Sequence, residues 1–109
     1  MPSSINIQNR KPLSAQGTLR VLSERLPEMK RQFDVSELAI FGSVARNEAR
    51  TDSDLDVLVM FAGTPTFDNF MGLKLYLGEL FGVSVDLGTK SSLRKEIRPY
   101  VEPEMIDVS

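Results

Sequence analysis

The stretch FGSVARNEARTDSDLDVLV, residues 41–59, decides how the rest of the chain is read. It holds a glycine-serine pair, a polar run, and then two aspartates one residue apart at the mouth of the most apolar segment, Asp54 to Phe61 (DLDVLVMF). β-Branched residues and an almost unbroken apolar run after the first positions predict a central strand there. Alternation at ~3.3 Å per residue puts Asp54 and Asp56 on one face, with α-carbons roughly 6 to 7 Å apart. Leu55, Val57 and Val59 then point the other way and anchor the strand. Like charges on one face repel, and a buried carboxylate carries a desolvation cost unless it is paired. A hard divalent cation is the compensation that such oxygen ligands suit.

Immediately upstream, VSELAIF (Val35 to Phe41) predicts a buried strand ending in a tight Gly42-Ser43 turn. Gly42 can take a backbone conformation that other residues avoid. Ser43 brings a hydroxyl and an amide to the start of a short helix predicted over Ser43 to Ala49, an arrangement suited to phosphate. The plainer role for such a serine is a helix cap.

Further out, Ala15, Leu19, Leu22, Leu26, Met29 and Phe33 recur at three- and four-residue steps, an amphipathic helix that Pro27 is expected to kink or split. Thr64-Pro65 has the order of an N-cap followed by proline at the first helical position. The helix it opens runs to Phe81, closed by Gly82, with its Phe and Met residues read as core. VSVDL (Val83 to Leu87) predicts a third, half-exposed strand with Asp86 on its polar face. If that strand pairs beside the second, three carboxylates converge. Ser91-Ser92 is expected to cap a last helix through Leu93, Ile97 and Tyr100. The fold class expected is α/β: a small mixed β-sheet with flanking helices. An aperiodic arm, residues 1–13, precedes a single domain, residues 14–109.

Composition narrows the chemistry. The 109 residues include no cysteine and no histidine, which removes disulfides, Cys/His zinc sites, thiol nucleophiles and histidine bases together. Catalysis is left to carboxylates. A formal charge of -2 argues against general nucleic-acid binding, which rests on phosphate neutralisation by Lys and Arg. The sequence has no apolar run near the ~20 residues of a membrane span and no secretory core at its start, so a cytoplasmic location is expected.

A glycine-serine turn and a D-x-D pair are each weak signals; their combination at ten-residue spacing, each at a strand end, is much stronger. With Gly42, Ser43, Asp54 and Asp56 in that pattern, the chain resembles the minimal nucleotidyltransferase (MNT) domains of the DNA polymerase β-like superfamily. AIFGSVARNEA, TFDNFMGLKLYLGELFGVSVDL and LRKEIRPYV are similar to successive blocks of those proteins. The resemblance implies a minimal nucleotidyltransferase fold with Asp86 as the third carboxylate. It also implies two Mg²⁺ ions held by Asp54, Asp56 and Asp86, and ATP bound against Gly42 and Ser43. Arg46 is a further candidate for the nucleotide, against the plainer reading of an ion pair with Glu48. Asn47 stands where the family often has glycine.

Small stand-alone proteins of this kind resemble the antitoxin of a pair whose toxin is a helical HEPN ribonuclease. The implied activity is transfer of AMP to a tyrosine hydroxyl of that partner. Two alternatives are a non-catalytic antitoxin acting by binding alone, and a transferase acting on a small molecule or an RNA end. Mutual repulsion of the acids further predicts that Asp54→Asn stabilises the metal-free protein.

Overall fold

A computed structural model describes residues 12–89 and 102–108. The elements run α1 (Ala15–Phe33), β1 (Val35–Phe41), α2 (Gly42–Ala45), β2 (Leu55–Phe61), α3 (Phe67–Phe81), β3 (Val85–Thr89), a 3-10 turn (Glu102–Glu104) and β4 (Ile106–Val108). The sheet order is β3-β2-β1-β4. β1 is antiparallel to both β2 and β4, whereas β2 and β3 are parallel, so the sheet is mixed as expected.

Alternation sorts the strands onto two faces. Leu38 and Ile40 of β1, Leu55, Val57 and Val59 of β2, Val85 and Leu87 of β3 and Val108 of β4 form one buried layer. Leu22, Leu26 and Met29 of α1 and Leu73 and Leu77 of α3 cover it. Such a layer supplies most of the favourable free energy of folding, at about 25 cal/mol per Å² of apolar surface removed from water. It also makes β2 rigid, which fixes the residues at its open end.

Ser14 caps α1, its hydroxyl accepting from the Gly17 amide at 3.0 Å. Pro27 does not split the helix, which runs unbroken from Ala15 to Phe33. Pro27 is exposed, and Leu22, Leu26 and Met29 pack on the core on either side of it, holding the segment together despite the missing donor. Asp34 ends α1 in the left-handed region at φ 61°.

Three further expectations shift. α3 is capped by Thr66, whose hydroxyl accepts from the Asn69 amide at 3.1 Å, and not by Thr64. The helix after Gly42 is a single turn, because Asn47 adopts φ 59° and a helix cannot continue through that conformation. β3 starts at Val85, since Gly82 leaves α3 left-handed at φ 67° and Val83 lies in the bend that follows. The expected last helix through Leu93, Ile97 and Tyr100 lies outside the described residues, as does most of the arm expected over residues 1–13. Leu13, at the end of that arm, packs against the core.

Candidate active site

The end of β1 and the starts of β2 and β3 meet at one edge of the sheet. Register puts Asp56 between two neighbours: it pairs with Phe41, which precedes the Gly42-Ser43 turn, and with Asp86 on β3. Partners in register point to the same face, so Asp56 and Asp86 share the side opposite the helical layer. Asp54 stands one residue before β2, exposed, at the approach to this pair. The Leu55 amide bonds the Ser84 carbonyl at 2.9 Å, which locks the approach to the start of β3.

The three carboxylates feel one another. Burial pushes the Asp56 carboxyl up to about 6, and the negative charges of Asp86 and Asp54 add to that push, while Arg46 opposes it. Asp56 is therefore the member with most to gain from a cation. Among the described residues no three acidic side chains form a ready-made metal cage. The donor set is nevertheless that of a hard divalent ion, since it consists of oxygen ligands alone and carries excess negative charge at Asp56.

Beside the acids lies the turn. Gly42 has φ 75°, and a Cβ built on it would overlap Oδ2 of Asp56. Glycine is thus required twice, for its backbone angle and for the carboxylate resting against it. Ser43 follows inside the first turn of α2, a helix with no side-chain cap, so the capping role is not the one this serine fills. The amides of Gly42, Ser43 and Val44 have no intrahelical acceptor, as in any first turn, and this is what suits them to an anionic ligand.

Arg46 is engaged elsewhere. Its guanidinium donates to Glu48 Oε1 and to Glu104 Oε1, each at 2.9 Å. These bonds, Glu48 first, raise the arginine above its ordinary range. All three side chains are well exposed, so the bridge is a modest tether between the turn and the segment entering β4. Asn47 is a more specific tether, because its Oδ1 accepts from the Ala15 amide at 2.8 Å and so caps α1 from 32 residues away. The sequence flagged Asn47 only as a departure from glycine. Its usable signal is that asparagine tolerates the left-handed region better than other side chains. Glu104 offered no local signal at all.

Comparison with known proteins places the chain in a family. The pattern of the Nucleotidyltransferase domain family matches residues 22–108. The protein adenylyltransferase MntA of Thermococcus cleftensis is 41% identical over 88 residues, which covers 81% of this chain and 89% of that protein. A solved minimal nucleotidyltransferase is 38% identical, with a TM-score of 0.71, over 86% of this chain and 95% of its own. The fold also matches a chain in the complex of a tri-AMPylated Shewanella oneidensis HEPN toxin with its MNT antitoxin. There the TM-score is 0.59 at 17% identity, covering 84% of this chain and 71% of that one. The length of the match, together with the turn and the acids at its centre, makes this chain a member of the nucleotidyltransferase domain family.

Proposed function

We propose that the protein is an antitoxin adenylyltransferase that silences a partner HEPN ribonuclease by transferring AMP from ATP to a tyrosine hydroxyl. The observation that carries this reading is the junction of Gly42, Asp56 and Asp86, which sets the glycine turn directly against paired carboxylates. Two names support the choice of acceptor: the Thermococcus cleftensis relative is called a protein adenylyltransferase, and the Shewanella oneidensis complex contains an AMPylated HEPN toxin. The chain acts in the cytoplasm on this reading, with residues 14–109 as the transferase domain behind the arm 1–13. Among the described residues no helix is long and apolar enough to cross a membrane.

In this mechanism the amides of the Gly42 turn and the Ser43 hydroxyl hold the β- and γ-phosphates. Asp54, Asp56 and Asp86 are the residues that would hold two Mg²⁺ ions, which would offset the triphosphate charge and ease ionisation of the acceptor hydroxyl. The hydroxyl oxygen bonds the α-phosphorus, the bond from that phosphorus to the bridging oxygen breaks, and pyrophosphate leaves. Asp86 takes the hydroxyl proton. Arg46 takes part only by exchanging a glutamate for a phosphate oxygen. Positioning and charge, rather than covalent participation by the protein, supply most of the rate.

The test is intact-mass spectrometry of the HEPN protein encoded beside this chain, after incubation with it and Mg-ATP. An adduct of AMP mass is expected, lost with Asp54→Ala or Asp56→Ala. Neutralisation of the RNase that survives both substitutions with no adduct would sink the proposal.

A further inference from the structure

α3 is apolar on two opposite faces. Leu73 and Leu77 are buried against the sheet, while Phe67, Met71 and Leu75 lie on the opposite side with Gly78 and Gly82. Phe67 is 76% exposed and Leu75 65%, the largest exposures of any big hydrophobic side chain among the described residues. The expectation that the Phe and Met residues of this helix are core therefore fails at Phe67 and Met71 and holds at Phe70 and Phe81, which pack against the core. A solvated helix normally keeps such positions polar, and a second apolar face marks a surface that is covered by something.

The outer face is also shaped. A groove of about 420 Å³ runs along Met71, Leu75 and Gly78 to Gly82, Val83 and Ser84, with the charged Lys74 and Glu79 also on its lining. The same three residues, Gly82, Val83 and Ser84, form one wall of a cleft of about 230 Å³ whose other wall is Thr51 to Asp54. The groove thus meets the cleft that holds Asp52 and Asp54, at the approach to Asp56 and Asp86. It does so from the β3 side, whereas the Gly42-Ser43 turn lies on the β1 side, with Asp56 between them.

In-line phosphoryl transfer needs the attacking and leaving oxygens on opposite sides of the phosphorus. With pyrophosphate held at the β1 side, the attacking hydroxyl arrives from the β3 side, through the cleft between Ser84 and Asp54. We infer that the outer face of α3, from Phe67 to Val83, is the docking surface for the acceptor protein, seating the apolar segment that carries the modified hydroxyl. The seated stripe is about 16 Å long, from the ~1.5 Å rise per residue between Phe67 and Gly78. Asp52 and Asp54 at its inner end favour a cationic residue beside the hydroxyl and disfavour an acidic one. This inference rests on the proposed protein acceptor.

The experiment follows labelling of the HEPN protein encoded beside this chain with Mg-[α-³²P]ATP, using wild type, Leu75→Arg, Leu75→Ser and the control Gln32→Arg on exposed α1. Sedimentation of the two proteins without nucleotide runs in parallel. The surface predicts that Leu75→Arg raises the acceptor KM by roughly tenfold or more, with a smaller rise for Leu75→Ser. The ATP KM and the melting temperatures stay unchanged, as does everything in Gln32→Arg. An unaltered acceptor KM in Leu75→Arg overturns the surface, and so does an equal rise in the ATP KM, which would give the groove to the nucleotide base. If wild type leaves the HEPN protein unlabelled yet binds it through Leu75, the transfer reading fails and the surface stands.

Discussion

The carboxylate of Asp56 rests against the α-carbon of Gly42, in the space a side chain there would occupy. One contact therefore joins the residue that shapes the turn after β1 to the most perturbed acid of the site. Gly42→Ala imposes a side chain at φ 75°, at about 1 kcal/mol, and forces Asp56 aside, adding roughly 1–3 kcal/mol. The expected result is a lower melting temperature together with AMP transfer reduced by about 100-fold or more, since a shift near 1 Å costs that much in a positioned reaction. Steady-state rates beside a thermal melt check this; a variant that melts early but transfers at the wild-type rate would separate the two residues.

Asp56 also sets a pH dependence. Its carboxyl stands near 6 in the folded protein against the ordinary 3.8, so the folded state holds the proton more tightly than the unfolded chain. Stability from this group is whole below about 4, is lost as pH rises towards 6, and is level above that. The loss is about 1–2 kcal/mol after discounting for partial exposure. Urea denaturation in EDTA at pH 4.5 and 8 should show it, and Asp56→Asn should flatten the difference and raise stability at pH 8. Asp54 is exposed and one residue outside the strand, yet its charge adds to the push on Asp56, so Asp54→Asn is also expected to stabilise the metal-free protein, by less than Asp56→Asn.

Asn47 combines a left-handed backbone with a bond to the start of α1, and three substitutions separate these contributions. Asn47→Asp keeps both and changes stability little. Asn47→Gly keeps the backbone and loses the cap, at about 0.5–1 kcal/mol, and Asn47→Ala loses both, at about 1–2 kcal/mol. Denaturation midpoints should follow that order. Equal midpoints for the glycine and alanine variants would mean that the backbone angle contributes nothing.

Much of this was legible in the chain because the signals are local. The stripe of α1, the alternation of β2 and β3, and the spacing from Gly42-Ser43 to Asp54 and Asp56 are all read within a few turns or strands. What escaped depends on distant partners. β4 is three residues long, too short to show alternation, and is a strand only because β1 offers Leu38 to Ile40 for pairing. The cap from Asn47 to Ala15 and the bridge from Arg46 to Glu104 span 32 and 58 residues. α3 misled for another reason: with apolar residues on both sides, its sequence does not say which face is core.

Ligand binding gives the last expectation. Asp56 gains from any cation that offsets Asp86 and Asp54, and on the proposed reading the Gly42 turn takes the triphosphate, so neither half of the site would be fully compensated by one component alone. Mg²⁺ and ATP together should stabilise the fold by about 2.7 kcal/mol at a hundred times the dissociation constant, a rise of several degrees in melting temperature. ATP in EDTA should raise it much less, because the triphosphate then meets the acids without a cation between them. Asp86→Ala should shrink the Mg-ATP increment while leaving the ligand-free melt at or slightly above the wild-type value, since Asp86 is exposed and its charge disfavours the ionised Asp56. A thermal melt unmoved by saturating Mg-ATP in the wild type would count against a nucleotide site at this edge of the sheet.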